Sequence, residues 1–171
     1  MIIRLLILIP ILILSACATP KTTMVPFQRV QNIPPNSAVV YFYRPKADFN
    51  RAGWAELFID DKKKFPLVNN SYGYVFLNEG EHKIKFEGSM SGTNWWPGPA
   101  TATLSVMAGR EYFIRITPLE PGSATFGSPT GSTVVLATQM FSHYSKAQTE
   151  IREVEKSQAL KEIISIPQVE Q

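Results

Sequence analysis

The sequence has little material for stapling or metal chemistry. It holds one cysteine, Cys17, and two histidines, His82 and His143. A lone thiol excludes an intrachain disulfide, and no His/Cys/Asp spacing would hold zinc, so no zinc site is expected. Charge of one sign is also scarce. Lys and Arg number 17 against 14 Asp and Glu, a formal +3, which is too balanced for a nucleic-acid surface. There is no Gly-x-Ser-x-Gly nucleophile turn, and Gly127–Gly131 (GSPTG) lacks the Gly-Lys-Ser/Thr of a phosphate loop. With no convergent acid, base and nucleophile set, an enzyme is not expected, and neither is a cofactor or a metal. No solenoid-period repeat or low-complexity tract occurs.

What the chain does have begins at its N-terminus. Arg4 is followed by an apolar run, Leu5 to Leu14, broken at Pro10 and ending in Ser15-Ala16-Cys17-Ala18. A membrane-spanning helix needs about 20 apolar residues, so this run fits an export signal better than an anchor. Leu14-Ser15-Ala16-Cys17 resembles the bacterial lipobox. The resemblance implies that residues 1–16 are a signal peptide and that Cys17 carries diacylglyceryl and palmitate-type chains as the mature N-terminus. Two or three acyl chains, at about 0.8 kcal/mol per buried CH₂, make a stable membrane anchor. Ala18, where an Asp would favour retention, resembles the signal for export to the outer membrane. The expected location is therefore the cell envelope, on the outer membrane facing the periplasm. Loss of Arg4 leaves 16 basic against 14 acidic residues.

Residues 17–37 hold four prolines and no clean period, which predicts an extended tether reaching on the order of 25 Å. The alternative is that Val25, Phe27, Val30 and Ile33 dock on the domain. From residue 38 to 141 the text turns to short strands. Residues 38–45 (AVVYFYRP) are apolar on both faces, the mark of a strand buried on two sides. Residues 54–60, 63–67, 71–78, 81–87, 100–106, 111–117 and 132–141 follow, most with period-two alternation, and Asp60-Asp61 and Asn69-Asn70 read as tight turns. Seven or eight short strands without intervening helices predict an all-β antiparallel sandwich, with an open barrel as second choice, its neighbours mostly joined as hairpins. Residues 142–166 lack internal Gly and Pro before Pro167 and predict a C-terminal helix. Its stripe is not straight: Ala147, Ile151 and Val154 share one face, Leu160, Ile163 and Ile164 nearly the opposite one.

The segments VVYFYRP, FIDDKKK, SYGYVFLNEGEHKIKF and AGREYFIRI together resemble a family of bacterial lipoproteins known as domain of unknown function 2846, over about residues 38 to 140. The middle hairpins are also similar to PEGA domains, although the turn at Asn78–His82 lacks that family's prolines. The resemblance implies an exported β-sandwich and assigns no catalytic residue.

Candidate interaction residues are few. Trp95 and Trp96 stand together between glycines and prolines, and neighbours in extended chain point opposite ways, so one can enter the core while the other is exposed to a glycan or a partner protein. Leu160, Ile163 and Ile164 form a candidate partner-binding helix face. The expected partners are the membrane, through Cys17, and an envelope protein or glycan, with no nucleic acid. The predicted role is a binding or structural module of the envelope; an enzyme or accessory acting on envelope glycans and a small-ligand carrier are the alternatives. Lys62–Lys64 read as a solvated basic turn. Arg44 and Arg115 are expected on the sheet surface, paired with Glu56 or Glu111.

Overall fold

The computed structural model describes residues 20–22, 25–88, 95, 97–120, 134–135 and 148–169. The strands are β1 (Ser37–Arg44), β2 (Ala55–Ile59), β3 (Lys62–Leu67), β4 (Ser71–Asn78), β5 (Gly80–Glu87), β6 (Ala100–Val106), β7 (Glu111–Leu119), β8 (Val134–Val135) and β9 (Gln148–Glu153), followed by one helix, α1 (Lys156–Ile163). They form a sandwich of two sheets, ordered β4-β1-β7-β9-β8 and β3-β2-β5-β6, with no closed barrel. Ala38, Val40 and Phe42 of β1, Leu57 and Ile59 of β2, Ile84 and Phe86 of β5 and Ile114 and Ile116 of β7 fill the space between the sheets.

Two expectations about pairing are corrected. The five-stranded sheet is mixed, because β1 pairs antiparallel with β4 but parallel with β7, Val39 lying opposite Glu111. Most chain neighbours are also not hairpins. β2–β3 and β5–β6 are, but β3–β4, β4–β5 and β6–β7 each step from one sheet to the other. The turn residues were legible and their direction was not. Asn69 ties the β3–β4 crossing by bonding both the N–H and the carbonyl of Ala47, at 3.0 and 2.9 Å. The Asp60-Asp61 turn does close a hairpin, with φ of 51° and 61° at its two central residues, the left-handed pair that such a turn requires.

The basic run Lys62–Lys64 lies in β3, an edge strand that also carries Pro66. Lysines and a proline on an edge discourage pairing with another chain, which accounts for this run without a ligand.

The five-stranded sheet is covered on its other face as well. Val39, Tyr41 and Tyr43 of β1, Tyr72 of β4 and Phe113 of β7 form a second core with Val154, Ala159, Ile163 and Ile166. Residues 25–33 also lie on this face, with Phe27, Val30 and Ile33 packed against it. The free tether is thus replaced by the docked alternative: Thr22 bridges Val169, and the backbone of Val169 pairs with Tyr72 at the β4 edge. Of the predicted helix over 142–166, residues 142–147 lie outside the described residues and the rest is only partly helical. Residues 148–153 are strand, and α1 starts only at Lys156, where the Glu155 carboxylate accepts the N–H of Ser157 (2.8 Å) and of Gln158 (3.3 Å). In QTEIRE, Thr149 and Ile151 are buried while Glu150 and Arg152 bear the charges of the opposite face, a period of two that the Ala147-Ile151-Val154 spacing disguised.

Gly73 sits opposite Phe42 in β4, and a Cβ there would come within 2.5 Å of the buried Phe65 ring. Gly73→Ala is expected to cost about 1–3 kcal/mol by overpacking, read as a lower urea midpoint with an unchanged slope.

His82 Nδ1 lies 2.7 Å from Asp60 Oδ2, and its Nε2 lies 2.9 Å from the carbonyl of Asn78. Both partners are acceptors, so only the imidazolium satisfies both contacts. Burial works against that charge, but the Asp60 and Asn78 hydrogen bonds outweigh it and hold the His82 pKa above its ordinary value. A raised folded pKa gives a stability contribution that is complete below about pH 6.5 and is lost as pH rises through the folded value. NMR titration should place His82 above the ordinary histidine range, and Asp60→Asn should bring it down and flatten the stability loss between about pH 6 and 8. An unshifted His82 would refute the assignment.

Candidate functional site

The densest convergence of aromatic, hydroxyl and charged groups among the described residues is the outer face of the five-stranded sheet. β1 and β4 place Tyr41 opposite Tyr74 and Tyr43 opposite Tyr72, because alternate residues of paired strands share a face. Tyr41 stacks on Phe113 with ring centroids 4.9 Å apart. Across this floor runs the strap, residues 25–33. Phe27 meets Tyr41 and Tyr72 edge-on, each at 5.2 Å. Its backbone is read by hydroxyls: the N–H of Val30 donates to Tyr41 Oη at 2.8 Å and that of Gln28 to Tyr72 Oη at 3.2 Å. Burial raises the pKa of both phenols, which stay protonated across the neutral range.

Charge closes the two ends of this face. Glu111, 8% exposed, pairs with Arg29 of the strap at 2.6 Å and with Lys156 at the start of α1 at 2.5 Å. Burial opposes its ionisation, but those two cations outweigh the cost and hold its pKa below the usual carboxylate range. Beside the strap, Arg29, Arg110, Glu111 and Lys156 line an open groove of about 630 Å³. Toward the other end, Tyr43 Oη donates to Glu162 of α1 at 2.8 Å, and Arg115 reaches the same carboxylate at 3.2 Å. Desolvation and that carboxylate push the Tyr43 phenol strongly upward. Arg115 is therefore on the sheet surface, as expected, but its partners are Glu162 and Glu150 rather than Glu56 or Glu111.

The residues singled out from sequence are distributed elsewhere. Cys17 and Trp96 lie outside the described residues. Trp95 is core: it is 6% exposed and its indole N–H donates to the carbonyl of Gly98 and to Thr149. Over its ring, 5.0 Å away, lies the guanidinium of Arg44. Arg44 is corrected from surface to interior. It is 0% exposed, donates to the carbonyls of Gly53 (2.6 Å) and Asn50 (2.7 Å), and desolvation pulls its pKa down to about 10. The helix face is corrected as well, because Ile163 is fully buried in the protein's own second core and Leu160 packs beside it. Only Ile164 stays open, at 64% exposure. Sequence reasoning missed Tyr41, Tyr72 and Glu111; the signal available was tyrosine rather than phenylalanine on a strand read as buried on both faces.

Between β6 and β9 the sandwich leaves a cavity of about 140 Å³, lined by Ile84, Ala102, Leu104, Ile114, Ile151 and Glu153. That volume suits a molecule of benzene size and is well below the ~300 Å³ at which pockets for larger ligands begin. Among the described residues no cluster of three or more His, Cys, Asp or Glu side chains is placed to hold a metal, and no helix is long and apolar enough to cross a membrane.

Neither a curated protein nor a solved structure matches this chain. A family model does, over residues 34–130, more than half of the chain and spanning β1 to β7. On that match the chain belongs to the family described as protein of unknown function (DUF2846).

Proposed function

We propose that this protein is a lipid-anchored component of the bacterial cell envelope, held by acyl chains on Cys17 and acting as a binding or structural module. The observation that carries the reading is the docking of the chain from Thr22 on, close in sequence to Cys17. Thr22 is paired with Val169, and from Val25 onward the strap lies on the sheet. Thr22 is five residue steps from Cys17, and a fully extended chain covers at most about 3.6 Å per step, so an acylated Cys17 keeps the sandwich within about 18 Å of the headgroups. A segment built only as a spacer would have no reason to fold back onto the domain it carries. The lipobox-like Leu14–Cys17 supplies the anchor in this reading, and Ala18 favours the outer membrane in a diderm host.

Metabolic labelling with a palmitate analogue should mark the native chain and leave Cys17→Ser unmarked, and that substitution should move the protein from the membrane pellet to the soluble fraction. Native protein that is unlabelled and soluble would overturn the proposal.

A further inference from the structure

We propose that the outer face of the five-stranded sheet is a peptide-binding site for extended, proline-bearing segments of another protein, occupied in the resting molecule by the chain's own residues 25–33. The inference rests on the geometry of that face and is independent of the anchor at Cys17.

The strap shows how the face recognises a ligand. Along residues 25–33 only Phe27, Val30 and Ile33 are partly buried, and the two residues between each pair are exposed. A contact every third residue is the period of a polyproline-II helix, which has three residues per turn and no internal hydrogen bonds. Pro26 and Pro34 flank the span of the three contacts, Phe27 to Ile33. Such a chain carries backbone N–H groups that need acceptors, and Tyr41 and Tyr72 supply them through their hydroxyls. Recognition of backbone by tyrosine hydroxyls and of apolar side chains by aromatic walls is a general mode for proline-rich ligands. The sequence-dependent part is Arg29, whose guanidinium meets Glu111. The preferred ligand therefore carries an apolar residue, a basic one two positions later, and further apolar residues at the third and sixth positions.

Two observations favour a ligand from outside over a permanently closed lid. The strap touches the sheet with one side chain in three, so its own hold on the face is thin. The aromatic floor also extends past it. On β4, Tyr72 is 0% exposed beneath the strap, while Phe76, four residues along the same face and in edge contact with Tyr74, is 41% exposed. The site is larger than its present occupant.

The probe is a fluorescent peptide of residues 20–36, titrated into the mature chain carrying Cys17→Ser. Phe27→Ala/Val30→Ala/Ile33→Ala in the protein weakens its own strap and should let the unmodified peptide bind at least about tenfold more tightly than it binds the native strap protein, because cis competition is removed. Arg29→Glu in the peptide should cost about tenfold or more. A triple variant that keeps a cooperative unfolding transition yet binds no peptide overturns the proposal. If the triple variant does not fold, hydrogen exchange of the native chain decides: amides of Gln28 and Val30 exchanging about 100-fold faster than those of β1 support an exchangeable strap, and equal rates overturn it. A concentration-dependent dimer that the triple substitution abolishes would assign the site to the strap of a second copy and overturn the foreign partner.

Discussion

Ser37 to Arg44 cannot turn either face to water. Ala38, Val40 and Phe42 enter the space between the sheets, and Val39, Tyr41 and Tyr43 point the other way, so all eight residues of β1 are buried. Burying an apolar side chain of this size contributes about 1.5–3 kcal/mol, and a bare outer face would forfeit several such terms together. The four-stranded sheet can cover only one side. The second cover has to come from the chain ends, and it does: residues 25–33 from the N-terminal side, α1 and Ile166 from the C-terminal side. The doubly buried strand thereby dictates a third layer on a two-sheet sandwich.

That third layer is irregular, and its irregularity explains the chemistry of the floor. A strand or helix brings its own hydrogen bonds, whereas an extended strap brings N–H groups without partners, each costing about 1–3 kcal/mol if buried unmet. Phenylalanines at 41 and 72 would pack as well but leave Val30 and Gln28 unsatisfied; tyrosines fill the same space and accept both N–H groups. The same logic runs through the ion pairs. Glu111 faces Arg29 and Lys156, so one β7 carboxylate fastens both the strap and the helix start. Arg115 lies opposite Arg152 in the β7–β9 register, a repulsive pair that Glu150 and Glu162 neutralise.

Strand periods carried most of the sandwich into the sequence. The apolar run of β1, the alternation of β5 and β6 and the Asp60-Asp61 turn are all local signals, and each is found where it was read. What was illegible is non-local. Whether a short turn closes a hairpin or crosses to the facing sheet depends on which partner edge is vacant, and Asn69-Asn70 looks the same in either case. The parallel neighbour of β1 is 72 residues away at Val39 and Glu111, a distance that no periodicity reports. QTEIRE reads as helix because its flanks contain no Gly or Pro, but its alternation suits a strand between β7 and β8. Arg44 was misplaced for the same reason: nothing in VVYFYRP shows that loop carbonyls at Asn50 and Gly53 will take the place of an acidic partner.

The candidate site is half legible: of the four residues read as able to dock, Phe27, Val30 and Ile33 do and Val25 stays exposed, while the floor beneath them carries no such mark. Their docking changes what the N-terminal segment can do. On the proposed anchor at Cys17, the seated strap leaves five residues of free chain, whereas a released one leaves roughly twenty, with a root-mean-square span of about 25 Å and a contour more than twice that. On the proposed exchange of the strap, the two lengths are states of one equilibrium. A peptide that takes the aromatic floor must displace the strap, so binding in trans and lengthening of the tether are linked by a single coupling free energy. The linkage runs both ways: tension that pulls the strap from the sheet exposes Tyr41, Tyr72 and Glu111 and raises the apparent affinity for the incoming segment. Reach and recognition are therefore set by the same nine residues.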